Sequence, residues 1–170
     1  MSTRCQIGFY EHEKQALNRP DALLYCGNDG RPGYMMPLLI VSLQKLDDDN
    51  RLDDIETSSA KVLYDMMQYI GKSLPKSYTA YGISKLFHGD IDYFYAIYTS
   101  GIVKALSIKN LGLLCETGKG VHTLKKVNIR EVPRETESHL EKERSESHEA
   151  VMEILAYWRE KDLIEKKIEK

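Results

Sequence analysis

The sequence predicts an α+β fold in which an antiparallel sheet is covered by two helices and followed by a long C-terminal helix. Strand patterns lie on both sides of two helical patterns, and neither glycine nor proline occurs after Pro133. With 170 residues, 42% of them hydrophobic, the chain is long enough to bury the core of one domain. We therefore predict a globular domain at residues 1–132 and a charged, amphipathic helix at residues 133–170.

Two strands are predicted before the first helix. Cys5 to Tyr10 and Ala22 to Cys26 are apolar runs joined by a polar connection, which is typical of a hairpin with a long loop. The second run leads into Gly-Asn-Asp-Gly-Arg-Pro-Gly at residues 27–33. Asn, Asp and Gly accept positive φ angles there and Pro32 fixes φ, so the chain must turn sharply at this point.

Two helical patterns follow the turn. The first begins at Pro37, which suits a first helical position, and continues through residues that are apolar nearly all round to Leu46. The second is capped by one of the hydroxyl residues at 57–59 and carries apolar residues at helical spacing from Val62 to Ile70. These two segments are the predicted cover of the sheet.

The second half of the domain returns to strands. Ile91 to Tyr98 is largely apolar on both faces, which favours a central position in the sheet. A tight turn then leads into a second strand at Ile102 to Ile108. Three glycines predict turns over residues 111–124, and a last short strand is expected at Leu124 to Ile129.

The C-terminal segment carries an apolar stripe beyond a polar stretch. Ser138 and Glu141 fit a capping box at the start of the predicted helix, and residues 141–149 are nearly all polar. The stripe consists of Val151, Ile154, Leu155 and Trp158. Because an apolar stripe must be covered, we predict a non-enzymatic binding module in which these residues contact a second copy or a protein partner. Docking onto the chain's own domain is the alternative.

A basic stretch suggests a second possible function. It contains Lys104, Lys109, Lys119, Lys125, Lys126 and Arg130, with Glu116 as the only acid between Ile102 and Arg130. Such an excess of positive charge attracts phosphate backbones and would suit a nucleic-acid-binding protein. The stretch contains no aromatic residue for base stacking, and lysines also protect exposed strand edges.

A third possibility is a small metal-dependent hydrolase. Asp90 and Asp92 lie beside His88 and, with Asp29 from the turn, offer oxygen ligands for a divalent cation. Such a cation needs more ligands than the pair of aspartates supplies, so we predict neither a metal nor a catalytic residue. We also predict no cofactor, since the sequence lacks a complete phosphate-binding loop, a serine nucleophile elbow and a paired-cysteine motif.

Three short segments carry a resemblance to other proteins. They are Ser2-Thr3-Arg4, Leu24-Tyr25 with Asp29-Gly30 and Pro32, and Gly89-Asp90-Ile91-Asp92-Tyr93. Together they resemble a group of uncharacterised phage and prokaryotic proteins that share a Leu-Tyr-Arg-His-x-Asp-Gly-Tyr-Pro pattern. The resemblance covers residues 2–98 and implies a shared fold and a phage-related setting. Cys26 and Gly27 stand where that pattern has Arg and His, and Arg31 stands where it has Tyr. Because the group has no established activity, the resemblance implies none for this chain.

Composition also bears on location. No apolar run approaches the roughly 20 residues that a membrane span needs, and the first residues lack the apolar core of a signal peptide. The three cysteines are far apart in sequence and form no Cys-x-x-Cys pair, which favours free thiols. We therefore predict a cytoplasmic protein without a membrane segment.

Overall fold

A six-stranded sheet forms the centre of the structure, a computed structural model that describes residues 3–28, 30–69 and 81–133. The described strands are β1 (Cys5–Tyr10), β2 (Ala22–Cys26), β3 (Tyr81–Ile83), β4 (Tyr93–Tyr98), β5 (Ile102–Ile108) and β6 (Val121–Asn128). They lie in the order β3-β2-β1-β4-β5-β6. β4 is thus an inner strand, in agreement with its two apolar faces.

The sheet is mixed, because β1 and β4 run parallel to each other with Gly8 opposite Ala96. The other four pairs of neighbouring strands are antiparallel. The prediction of an α+β fold is confirmed, but the prediction of an antiparallel sheet is wrong at this central pair. Parallel neighbours need a long crossover connection, and here the chain from β1 to β4 passes through β2, two helices and β3.

Two helices pack on one face of the sheet, as the sequence predicts. They are α1 (Pro32–Asp48) and α2 (Ile55–Tyr69). α1 begins at Pro32 and not at Pro37, because the fixed φ of a proline suits the first helical position and its missing N–H costs nothing there. The predicted hydroxyl cap of α2 is also wrong. Asp54 precedes the helix and its Oδ1 accepts a hydrogen bond from the Thr57 amide at 3.0 Å.

The capping interaction has an electrostatic consequence. Hydrogen bonds from the side chain and the backbone of Thr57 hold the pKa of Asp54 below its usual value. A carboxylate at the start of a helix also faces the positive end of the helix dipole. Asp54 therefore stays ionised at neutral pH, and its contribution to the stability of α2 is lost only as the pH falls through its lowered pKa.

The region predicted as turns contains a third helix, α3 (Leu111–Thr117). Asn110 caps it, since its Oδ1 accepts a hydrogen bond from the Leu113 amide at 2.9 Å. Gly118 ends it in the left-handed conformation with a φ of 73°. The glycines that predict turns therefore include a helix C-cap. β6 follows directly and spans Val121–Asn128, earlier than the predicted Leu124 to Ile129.

The core has one layer on each face of the sheet. The larger layer lies between the sheet and the two long helices and includes Cys5, Ile7, Phe9, Met35, Leu39, Leu43, Val62, Met66, Tyr95 and Ile97. The smaller layer lies on the opposite face and consists mainly of Tyr10, Leu23, Phe94, Ala96, Tyr98 and Leu106. Both layers consist of side chains that alternate along the inner strands, as expected for a sheet covered on both sides.

Buried polar side chains join the elements of the larger layer. Asp65 of α2 accepts a hydrogen bond from Ser42 Oγ of α1 at 2.6 Å and forms an ion pair with Lys61. Gln44 of α1 donates from Nε2 to the carbonyls of Ile129 and Val132, each at 2.8 Å. These bonds fix the two helices to each other and fix the end of the described domain against α1.

Residues 134–170 lie outside the described residues, so the predicted C-terminal helix and its apolar stripe also lie outside them.

Gly8 provides a test of the smaller core layer. A Cβ at this position would lie 2.7 Å from Phe94 Cζ and 2.7 Å from the Tyr10 hydroxyl, both in fully buried side chains. We expect Gly8→Ala to destabilise the fold by about 1–3 kcal/mol, because the aromatic rings must shift. Urea unfolding would measure the change.

Gly89→Ala is the matched control, since a Cβ there meets no atom within 4 Å. We expect a change within about 0.5 kcal/mol for this variant. Equal stability of both variants would show that the aromatic layer is not closely packed.

Candidate functional site

A groove of about 1030 Å³ runs along the outer edge of β2. β3 is short and pairs only with Leu24, Tyr25 and Cys26, so the ladder ends before the start of β2 and the groove opens beside that start. The chain segment 83–87 and α2 contribute to its walls, and residues 18–21 together with Cys115 of α3 complete them. Concave sites of this size are common binding sites in proteins.

The groove is apolar with a balanced charged rim. Its apolar lining includes Leu23, Leu24, Leu63, Ile83, Leu86 and Phe87. Its charged residues are two of each sign, Arg19 and Lys85 against Asp21 and Glu56. This composition suits an apolar ligand better than a phosphate or another strongly charged group.

Two large apolar side chains at the groove face solvent. Ile83 is 81% exposed and Leu86 is 77% exposed. Single exposed apolar residues are ordinary on protein surfaces, but two of them beside an apolar groove form a patch that burial in a complex would stabilise. A functional interpretation of this groove must therefore explain why the patch of Ile83 and Leu86 is exposed.

A buried glutamine of β1 holds the backbone of the segment that carries Leu86. Gln6 of β1 is 0% exposed, and its Nε2 donates to the Leu86 carbonyl at 3.1 Å. Its Oε1 accepts a hydrogen bond from the His88 amide at 2.9 Å. The backbone at 84 is fixed as well, since the Ser84 amide donates to the Leu23 carbonyl at 2.8 Å. Leu86 is therefore presented to solvent on a fixed backbone.

The opposite wall is attached to the same strand. Tyr10 of β1 donates its hydroxyl proton to the Leu17 carbonyl at 2.6 Å, directly before residues 18–21 of the groove wall. Burial raises the pKa of Tyr10, so the hydroxyl remains protonated and keeps this bond. Asn18 then donates from Nδ2 to the carbonyls of Cys115 and Glu116, which joins this loop to α3. Both walls thus depend on alternate residues of one face of β1.

Ser84, which lines the groove, forms a hydrogen bond with His88. Ser84 Oγ and His88 Nε2 are 3.0 Å apart, and the His88 ring stacks on Tyr25 with centroids 4.2 Å apart. A serine that donates to a histidine nitrogen is the arrangement of a base-activated nucleophile. In the described residues no hydrogen bond holds the other ring nitrogen of His88, which an orienting third group would do.

The residues considered for a metal site take part in other interactions in the structure. Arg4 forms an ion pair with Asp90, and its amide donates to Asp92 Oδ2 at 3.2 Å, while His88 contacts Ser84. Among the described residues, no group of three or more His, Cys, Asp or Glu side chains is arranged to hold a metal ion. Asp29 lies outside the described residues. A cation at these aspartates would have to displace the Arg4 guanidinium.

The residues of the basic stretch are spread over several interactions. Arg130 forms an ion pair with Asp47 at 2.7 Å, and Lys126 forms one with Glu13 at 3.3 Å. Lys104 lies over the ring of Tyr98, with its Nζ 4.7 Å from the ring centroid. The other three residues of the basic stretch are Lys109, Lys119 and Lys125. The carboxylates of Asp47 and Glu13 thus reduce the positive electrostatic field that would attract a phosphate backbone.

The turn at residues 27–33 has a structural role in the described part of the chain. Tyr95 of β4 donates its hydroxyl proton to the Gly30 carbonyl at 2.8 Å, and burial raises the pKa of that tyrosine, so it remains a donor. Gly30 lies so close to β1 that a Cβ there would be 2.9 Å from the Cys5 amide nitrogen. The turn therefore fixes the start of α1 against the sheet.

Comparison with known proteins adds no functional assignment. A scan against protein-family models, a search of curated proteins and a search of solved structures each return no match. Among the helices of the described residues, none has both the length and the hydrophobicity that crossing a bilayer requires. The partner residues predicted at positions 151–158 are outside these residues, so the functional argument rests on the groove.

The groove was not predicted from the sequence. Its exposed residues Ile83 and Leu86 belong to the segment from Leu74 to Gly89, whose glycines and proline predict a loop, with a short strand at Tyr81 to Phe87 as the alternative. The only local signal is the presence of large apolar residues in that loop. Their positions depend on partners that are distant in the sequence, since Gln6 holds the Leu86 carbonyl and Leu24 of β2 lies opposite Ile83.

Gln6 provides a test of the groove wall. We expect Gln6→Leu to destabilise the fold by about 1–3 kcal/mol, because the Leu86 carbonyl and the His88 amide lose their buried partner. Hydrogen exchange measured by NMR should show faster exchange of the His88 amide than in the wild-type protein.

Gln68→Leu makes the same chemical change on the exposed side of α2. Its stability should change by no more than about 0.5 kcal/mol, with His88 exchange unaltered. An unchanged His88 exchange rate in Gln6→Leu would mean that Gln6 does not hold the wall.

Proposed function

We propose that this chain is a non-enzymatic protein-binding module that forms a homo-oligomer or binds a protein partner through apolar surfaces. The observation that carries the proposal is the groove beside β2, where Leu86 is exposed on a backbone held by buried Gln6 and Ile83 is exposed on β3 opposite Leu24. A fixed apolar surface loses little conformational entropy when a partner covers it. Such preorganisation favours binding.

The surface that we propose to contact the groove is predicted from the sequence. Residues 133–170 are proposed to form a helix whose stripe of Val151, Ile154, Leu155 and Trp158 enters the contact. Tryptophan is frequent among the residues that dominate binding energy, and aliphatic neighbours exclude water around it. The apolar stripe is therefore complementary in hydrophobicity to the apolar groove.

Two observations favour this function over nucleic-acid binding. The rim of the groove has equal numbers of positive and negative side chains, and Lys126 and Arg130 are paired with carboxylates. Phosphate recognition requires a continuous excess of cations.

The free thiols of Cys5, Cys26 and Cys115 are consistent with the cytoplasmic location that we propose.

Sedimentation velocity tests the proposal. We expect the full chain to associate, and Trp158→Ser to weaken that association at least about tenfold, because hot-spot residues commonly contribute 2 kcal/mol or more. The chain ending at Pro133 should sediment as a monomer.

Tyr157→Ser is the matched control, since residue 157 lies about 100° around a helix from residue 158 and outside the stripe. It should associate like the wild-type chain. A full chain that remains monomeric at the concentrations tested, or equal association of the full and shortened chains, would overturn the proposal.

A hydrolytic function is a second candidate, and it rests on the hydrogen bond between Ser84 and His88. In that case the Ser84 hydroxyl attacks an ester carbonyl while His88 accepts its proton and then returns it to the leaving alkoxide, which leaves an acyl ester on Ser84. Water, deprotonated by His88, then cleaves this ester, and the carboxylic acid leaves as the Ser84 hydroxyl regains its proton. A fluorophosphonate probe should then label Ser84. Ser84→Ala should abolish the labelling and Ser100→Ala, on an exposed turn, should leave it unchanged. No labelling of the wild-type protein would exclude this candidate.

A further inference from the structure

We infer that the groove beside β2 is the receptor for residues 151–158 of a second copy of this chain. The inference rests on the proposed function, because it assigns the surface that the C-terminal stripe contacts. It is argued from the chemistry of the groove, from the place where the chain leaves the described domain and from the length of the segment that follows.

The groove has the chemistry of a receptor for an apolar helix. Leu24, Leu63 and Phe87 contribute to its interior, and Ile83 and Leu86 extend the apolar surface outward. Recognition of a helix by a groove typically uses apolar anchors at helical spacing. Val151, Ile154, Leu155 and Trp158 have this spacing, and no charged residue interrupts the sequence from 154 to 158.

The chain leaves the described domain far from the groove. The short 3-10 helix Ile129–Glu131 follows β6, and the next residue, Val132, is held by Gln44 of α1. β6 is one edge of the sheet, whereas β2 lies beside β3 at the other edge. Four strand spacings separate β6 from β2, which corresponds to about 19 Å. The C-terminal segment therefore starts at the opposite end of the sheet from its proposed receptor.

The segment between Pro133 and the stripe is long enough to carry the stripe to a groove of either copy. As a helix, residues 134–150 would extend about 26 Å, which exceeds the distance of about 19 Å between β6 and β2. The polar character of residues 141–149 means that no apolar face draws this part of the segment back onto its own domain. When two copies exchange their segments, each groove receives one stripe, and the two identical contacts close a symmetric dimer.

The chain carries natural probes at both sides of the proposed contact. Trp158 is the only tryptophan in the sequence. Of the three cysteines, Cys5 and Cys26 are buried, whereas Cys115 is exposed and lines the groove. A fluorescent acceptor attached through a maleimide to Cys115 therefore reports on the groove, and Trp158 serves as the donor.

Energy transfer between two differently prepared populations tests the inference. The donor population carries Cys115→Ser and keeps Trp158, while the acceptor population carries Trp158→Phe and the label on Cys115. We expect energy transfer on mixing, because the stripe of the donor copy enters the groove of the acceptor copy. Leu86→Asp or Ile83→Asp in the acceptor population should weaken the association at least tenfold.

Leu113→Asp is the control, since Leu113 is an exposed apolar residue of α3 that does not line the groove. It should leave the transfer unchanged, and circular dichroism would confirm that all variants are folded. Two different outcomes overturn the inference. Association without transfer leaves the proposed function intact and excludes the groove. Energy transfer in a third preparation, the otherwise wild-type chain labelled on Cys115, together with its sedimentation as a monomer, places the stripe on its own domain, and then the proposed self-association fails too.

Discussion

The parallel pairing of β1 with β4 is the constraint on which the rest of the structure depends. It joins two strands that are distant in the sequence and places β1 in the middle of the sheet, where both of its faces are buried. One face packs against α1 and α2. The other face presents Gln6, Gly8 and Tyr10 in alternation, and these residues contact the segment at Leu86, the loop at Leu17 and the ring of Phe94.

Each of these three residues makes a different contact. Gly8 leaves space for the aromatic rings of Phe94 and Tyr10, while the Tyr10 hydroxyl and the Gln6 amide hold two of the segments that line the groove. The polar atoms of Gln6 are costly to bury unless they are paired, so this residue is stable only when the loop is in place. Core packing and the shape of the proposed binding surface are therefore consequences of the same strand.

The sequence predicts what local pattern and local chemistry determine. β1, β2 and β5 have the expected bounds, because apolar runs and their flanking turns define them without reference to other strands. The parallel partner of β1 and the exposure of Leu86 depend on contacts between distant residues, which no local pattern encodes. α3 was missed because Gly118, which ends it in a left-handed conformation, has the same local appearance as a turn glycine.

Nuclear Overhauser spectroscopy of isotopically labelled protein would test the central role of β1 most directly. The account predicts cross-peaks between Gly8 and Ala96 in the pattern of parallel strands, together with cross-peaks from the Gln6 side-chain amide to the backbone of Leu86 and His88. An antiparallel pattern between β1 and β4, or a Gln6 side chain without contacts to the segment 86–88, would contradict it.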